Sequence, residues 1–409
     1  MIPSTSGSHE ERQDARAMND RWDVVIAGGG IMGVSAAFWL TKAGAGRVCV
    51  VEPDPALTHS STALSVASIR LQFSNPVNVR VSAFGIHFLK YIRDFLDLPD
   101  VPDRVHLQEN GYLFLAGTAE AAARMADLAA MQQAEGAATQ LLSPDEIAAR
   151  FPYLATDDVT RGSWGPRDEG WFDNMGLHDL LRRAARAQGA VFIEDRVTAL
   201  VRAGDRIEGA VLASGLRLDC GTLVNASGTA AARLLRSFGE DIPVEPRKRT
   251  VFVVDAPRAR HADAPLLIDH QGYYARPEGR HWLTATVPQE DGPADPQDFG
   301  PDWHLFEDVI WERIWRRMPD FDEARVIRAW AGHYAFNTLD QNAIVGRWPS
   351  CPNLILMNGF SGHGLQQAPA MGRAVAELIV DGGYRTLDLS DLGPERILSG
   401  TPFLEQTIV

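Results

Sequence analysis

Val24-Val25-Ile26-Ala27-Gly28-Gly29-Gly30-Ile31-Met32-Gly33 leads from an apolar strand through three glycines into an apolar helix, Val34–Leu40. A second apolar stretch, Val48-Cys49-Val50-Val51, ends on the acid Glu52. Strand, glycine turn, helix, strand and terminal acid form the βαβ unit of a dinucleotide-binding fold. Gly28 permits the tight turn, Gly30 lets the backbone approach a pyrophosphate, and Gly33 lets the helix pack close to the strand. The amides at the start of the helix, around Ile31 and Met32, attract the anion. Glu52 is placed to accept hydrogen bonds from an adenosine ribose.

Two later stretches repeat the theme. Leu223-Val224-Asn225-Ala226-Ser227-Gly228 is a strand ending in small residues, where backbone passes near a ligand. Asn353 to Ile379 reads as a strand, then Gly359-Phe360-Ser361-Gly362-His363-Gly364-Leu365-Gln366, then a long apolar helix. The three elements in this order resemble the flavin amine-oxidoreductase family that includes D-amino-acid oxidase, glycine oxidase, sarcosine oxidase and dimethylglycine dehydrogenase. Trp330–Gly346, the HGLQQAPAMGRAVAE run and Pro243–Arg249 are similar to a subgroup named for an FAD-dependent oxidoreductase domain. Mitochondrial members of that subgroup serve in complex I assembly.

The resemblance implies an α/β chain, α+β overall. A Rossmann-like FAD-binding domain is interleaved with a second, antiparallel-sheet substrate domain. It also implies non-covalent FAD held by Gly28, Gly30, Ile31, Met32, Gly33 and Glu52. Ser60, Ser61 and Thr62 join them from the Thr58–Leu71 loop and helix start, as do Val197, Ala226, Ser227 and Gly228. From the C-terminal element come Gly359, Gly362, His363, Gly364, Leu365 and Gln366. The implied reaction removes hydride from the carbon alpha to an amine, passes it to flavin N5 and leaves an imine that water hydrolyses. The substrate is a small amine or amino acid. The electron acceptor stays open between oxygen and a carrier, and the enzyme between dehydrogenase and oxidase.

Arg70 follows the flavin-facing loop, and its fork of donors suits a substrate carboxylate. Tyr273 aligns with the family's pocket tyrosine, and Arg276, three residues on, faces the other way. His333 falls where the chain crosses from the substrate sheet to the flavin. Relatives that attach FAD covalently there use a cysteine, which this chain lacks, while His59 offers a conceivable alternative link. Gln366 stands where sarcosine oxidases carry a lysine. None of the three lysines, Lys42, Lys90 and Lys248, falls on the strand His281–Thr286, where oxidases keep an oxygen-activating one. The first departure weakens a sarcosine assignment, and the second favours a dehydrogenase over a fast oxidase. Two other classes compete: a flavoprotein with an assembly or scaffold role and a vestigial pocket, and an NAD(P)H-dependent monooxygenase. The second lacks a further GxGxxG with a following acid.

Composition narrows the setting. The 409 residues are 45% hydrophobic and 22% charged, as in a soluble globular enzyme. The net charge of −14, from 53 acids and 39 bases, argues against nucleic acid or an anionic membrane as partner. No apolar run is long enough to span a bilayer. The three cysteines, Cys49, Cys220 and Cys351, form no CxxC. No metal site is expected, and a reducing, cytoplasmic setting fits. Residues 1–20 read as a flexible tail. The FAD-binding domain is expected over 21–100, 161–242 and 328–409, and the substrate domain over 101–160 and 243–327.

Overall fold

The computed structural model describes residues 21–407, so the expected N-terminal tail lies outside the described residues. Five parallel strands build the first layer, in the spatial order Val191–Glu194, Val48–Glu52, Trp22–Ala27, Arg217–Asn225 and Cys351–Asn358. The central strands Val48–Glu52, Trp22–Ala27 and Cys351–Asn358 are rich in Val, Ile and Leu and buried on both faces, as a parallel sheet covered by helices requires, whereas the edge strand Val191–Glu194 is only partly buried. Ile344–Trp348 adds an antiparallel edge, and the hairpin Val197–Ala203/Arg206–Leu212 extends from the start of Arg217–Asn225.

The helices Ile31–Lys42 and Gly364–Val380 pack against one face of this sheet and against each other. Their approach is close: a Cβ on Gly372 would lie 2.2 Å from Ser35 Oγ. That contact brings the N-termini of both helices to the same end of the sheet. Pro76–Lys90 joins the layer, and a Cβ on its Gly85 would strike the Gln366 carbonyl.

The second sheet has eight strands, in the order 325–337, 244–255, 281–286, 273–278, 266–269, 112–116, 161–165 and 140–142. All neighbours are antiparallel except the pair Leu266–Asp269 and Tyr112–Ala116. Its outer face is covered by Phe306–Ile310, a π-helical turn, and the helix Trp311–Arg317, which bury Phe252, Trp282 and Phe321. Its inner face meets the first domain.

Two domain boundaries move. Arg161–Gly165 pairs with Tyr112–Ala116 and Gln140–Leu142, so it belongs to the substrate sheet, not to the FAD-binding segment expected from residue 161. Arg325–Asn337 pairs with Val244–Asp255 along its whole length, so the substrate sheet runs to residue 337, not 327. The Thr58–Leu71 stretch forms turns and the two-residue strand Ser68–Ile69; the expected helix start is absent there. Among the described residues, no helix is long and apolar enough to cross a membrane and no cluster of potential metal ligands occurs.

Candidate active site

The two sheets enclose one continuous cavity of about 1330 Å³. That exceeds the ~300–1,000 Å³ of an ordinary small-molecule cleft. One end is the glycine turn. Gly28 has φ 104°, and a Cβ there would lie 2.5 Å from the Ala226 carbonyl oxygen. A Cβ on Gly33 would come within 1.8 Å of the Gly28 carbonyl oxygen, so this glycine serves helix–strand packing and does not reach the cavity. Gly30 differs: its Cβ would meet only Thr62 Oγ1, at 3.2 Å, and otherwise point into open space.

Gly30 is the N-cap of its helix and supplies no side-chain cap. Thr62 Oγ1, from 31 residues away, accepts the Ile31 amide at 3.0 Å. Thr62, expected as a cofactor ligand, therefore takes up one of the helix's free donors. Ser61 Oγ donates to the His333 carbonyl at 2.6 Å and Ser60 Oγ to that of Leu57 at 3.0 Å, so both hydroxyls hold the loop while lining the cavity.

Glu52 is folded back onto the turn. Its Oε2 accepts the Gly29 amide at 2.7 Å and its Oε1 the Asp54 amide at 2.9 Å. A Cβ on Gly29 would sit 2.7 Å from Glu52 Cβ, so the middle glycine is needed as well, a role the GxGxxG reading omits. His178 holds the same turn through the Gly29 carbonyl, at 2.9 Å. Val197, Ala226, Ser227 and Gly228 line the cavity beside Glu52.

The C-terminal element forms the opposite wall with Gly362, His363, Gly364, Leu365 and Gln366. Gly359 stands apart. Its Cβ would meet Val244 Cγ2 at 3.1 Å and Asn337 Cβ at 3.2 Å, so it packs between domains and does not line the cavity. Gln366 Oε1 accepts the Arg70 backbone amide at 2.8 Å.

Arg70 lines the cavity, but its donors are engaged. Nη1 donates to the Gln72 carbonyl at 3.2 Å, and Nη2 to His363 Nε2 at 3.0 Å and to the Thr407 carbonyl. A guanidinium only donates, so His363 Nε2 is the acceptor and the ring proton sits on Nδ1. Burial, reinforced by the Arg70 charge, pushes His363 down to about 3 and keeps it neutral. Behind Arg70 lies Glu169, which accepts the Leu71 amide and Gln72 Nε2, each at 2.7 Å. Burial raises its carboxyl to about 7 despite those bonds and the nearby Arg70. The free carboxylate fork expected of Arg70 is thus replaced by a contact to the C-terminal segment.

Tyr273 and His333 both border the cavity, and each has its side chain engaged elsewhere. Tyr273 packs with Phe252 and Trp282 on the outer, helix-covered face of the sheet. Its neighbour Tyr274 faces inward with Tyr112, Trp171 and Val66, on the same side as Arg276. The alternation of the strand, with Tyr274 and Arg276 two residues apart, carried that signal. His333 Nε2 meets the Asp298 carbonyl at 2.7 Å, and its ring stacks on Phe299 at 4.4 Å. It is a clasp for the 287–302 segment, on the face opposite Tyr334. His59 also rests against Phe299, at 4.4 Å.

The inward face of the substrate sheet presents Tyr112, Tyr274, Tyr334 and Arg249 to the cavity. Burial pushes Tyr112 and Tyr334 up to about 12 and Tyr274 higher still, so all three are neutral phenols at physiological pH. The acids lining the cavity are committed elsewhere. Glu52 and Asp54 accept backbone amides, and Asp269 pairs with Arg317 at 2.7 Å. The wall therefore offers cations and neutral hydroxyls, and no free carboxylate.

The sequence profile of the family described as FAD dependent oxidoreductase matches residues 23–378. FAD-dependent oxidoreductase domain-containing protein 1 of Xenopus laevis is 38% identical, over 95% of this chain and 85% of that protein. Mitochondrial sarcosine dehydrogenase of Mus musculus is 26% identical over 88% of this chain, which spans only 40% of the dehydrogenase. Among solved structures, L-proline dehydrogenase from P. horikoshii superposes with a TM-score of 0.82 at 27% identity, covering 93% of this chain and 99% of that one. Fold, glycine cradle and profile agree: the chain belongs to the DAO family of FAD-dependent oxidoreductases.

Proposed function

We propose that the chain oxidises a secondary or tertiary amine of an amino-acid-like molecule. The observation that carries this reading is one cavity with an open glycine cradle at one end and an arginine–tyrosine wall at the other. The residues fit FAD. The helix after Gly30, whose Ile31 amide is taken by Thr62, offers its following amides to a pyrophosphate, Glu52 stands by the adenosine side, and space is open around Gly228 and Gly362. Bound FAD supplies the hydride acceptor, at its N5.

The protein's own part is to bind and orient. The cationic wall suits a substrate carboxylate. The lack of a free acid leaves the substrate nitrogen without a counter-ion, which favours the neutral amine, the form able to yield a hydride. Neutral His363, with its proton fixed on Nδ1, adds a donor near the second helix N-terminus. The three cysteines are free and buried, which fits a reducing compartment.

Anaerobic mixing with a panel of N-methylated amino acids and imino acids tests the reading. Bleaching of the flavin by at least one is the expected result. If none bleaches it, the scaffold reading replaces this one. The lysines bear on the acceptor. Lys42 donates to the Phe95 carbonyl, Lys90 pairs with Asp168 and Glu109, and Lys248 is tied to Asp298 and Asp302. None lines the cavity. Turnover with an artificial electron acceptor is therefore expected to exceed turnover with oxygen at least tenfold, read as dye reduction against peroxide formed. Equal rates would return the chain to the oxidases.

The link to FAD can be tested separately. No cysteine lines the cavity, and His59 rests on Phe299. Acid precipitation is expected to release all the flavin intact to the supernatant. Yellow colour retained by the pellet would point to His59.

A further inference from the structure

Arg247 and Arg249 lie two residues apart on the strand Val244–Asp255 and share one face. Each guanidinium rests on a ring of the neighbouring strand: Arg249 on Tyr334 at 4.8 Å, Arg247 on Phe336 at 4.9 Å. Arg249 Nη1 and Nη2 donate to the two carboxylate oxygens of Asp291, at 2.7 and 2.8 Å. Arg247 Nη1 stands 3.9 Å from the same carboxylate. This parallel fork is the geometry with which an arginine takes a free carboxylate. Beside it, Arg249 Nε and Tyr334 Oη are buried with no hydrogen-bond partner, although both residues line the cavity. A buried polar group left unpaired is destabilising, so these atoms are placed for a partner the chain itself does not provide.

Asp291 belongs to the irregular segment 287–302, which roofs this end of the cavity through Pro296, Gln297 and Phe299. Charge and a few hydrogen bonds hold the segment down. Asp298 and Asp302 meet Lys248 Nζ at 2.7 and 2.8 Å, and the Ala294 amide donates to the Pro246 carbonyl at 2.8 Å.

We propose that Arg249 and the Tyr334 hydroxyl form the carboxylate-recognition site of the substrate, and that Asp291 is a tethered carboxylate which the substrate's own carboxylate displaces. The proposal rests on the amino-acid-like substrate proposed above. The exchange balances: the guanidinium fork passes from one carboxylate to another, and Asp291 turns to solvent with its segment. A neutral amine has nothing to exchange and leaves the fork closed, so the roof selects for anions. Arg70 cannot serve this way, because its partners are two carbonyls and an imidazole. A tethered competitor lowers apparent affinity by the fraction of time the fork is free. A fork free about a tenth of the time weakens binding about tenfold.

Calorimetric titration of the FAD-loaded protein with benzoate, and with benzamide as its neutral isostere, tests this. Asp291→Asn is expected to bind benzoate about tenfold more tightly than the unmodified protein, and benzamide no differently. Asp291→Glu, which keeps the tethered carboxylate, is expected to bind benzoate nearly as the unmodified protein does. Arg249→Met is expected to weaken benzoate at least tenfold at unchanged flavin content. Benzoate affinity unimproved in Asp291→Asn, with Arg249→Met still weakened, overturns the displacement. Binding unmoved by Arg249→Met, or no benzoate bound even by Asp291→Asn, overturns the site. The nature of the substrate is judged independently by amine bleaching, so the two failures are told apart.

Discussion

Gly30→Val is expected to purify as a folded but colourless protein. The backbone at Gly30 is extended, with φ −65° and ψ −173°, a conformation any residue adopts. A Cβ there meets only Thr62 Oγ1, at 3.2 Å, so the fold tolerates a side chain. The same side chain would project into the cavity at the start of the helix, where a pyrophosphate must come against the amides. Loss of that approach should weaken FAD at least ~100-fold, about 3 kcal/mol. Gly33→Val supplies the contrast: its Cβ would overlap the Gly28 carbonyl oxygen, and the chain is expected not to fold. The flavin-to-protein absorbance ratio, with far-ultraviolet dichroism as the check on folding, measures both. Full flavin occupancy in Gly30→Val would mean that the cofactor lies elsewhere.

The glycine cradle was legible because its chemistry is local. The strand, the turn and the acid lie within 29 residues, and Gly28, Gly30 and Gly33 answer to backbone constraints that sequence spacing reveals, while the need for Gly29 shows only in its approach to Glu52. The substrate wall was less legible. Tyr273 and Tyr274 are adjacent aromatics, and hydrophobicity alone does not say which faces inward. Only the parity with Arg276 decides, and it selects Tyr274. His333 is claimed by a carbonyl 35 residues away and Arg70 by one 337 residues away, at Thr407. No pattern of spacing encodes such partners. The shifted domain boundaries have a related cause. Local sequence does not say which sheet Arg161–Gly165 and Arg325–Asn337 join, and pairing across the fold assigns them.

Asp340→Ala is expected to cost about 3–5 kcal/mol of stability, the usual penalty for stranding one partner of a buried ion pair. Asp340 lies in the Asn337-Thr338-Leu339-Asp340-Gln341-Asn342 turn and has no exposed surface. Its carboxylate accepts Arg396 Nε at 2.6 Å and Nη2 at 3.1 Å, Asn337 Nδ2 at 2.7 Å, and the amides of Asn342 and Phe403 at 3.2 and 3.0 Å. Without it, the buried Arg396 keeps only carbonyl partners, at Leu392, Gly393, Asn342 and Ala343, and no counter-charge. The loss is a large share of the ~5–15 kcal/mol that holds a typical protein together. Asp340→Asn, which keeps an acceptor oxygen and loses the charge, should cost less. Adding Arg396→Met should recover part of the loss, because it removes the stranded cation. The effect reaches the site through Phe403. That residue anchors the segment whose Glu405 accepts Ser74 and Asn78 and whose Thr407 carbonyl holds Arg70. Urea unfolding of the apoprotein, followed by tryptophan fluorescence, gives the stability. A loss below about 1 kcal/mol, the size of an exposed pair, would show that the Asp340–Arg396 contact is solvated and does not tie the C-terminal segment to the active site.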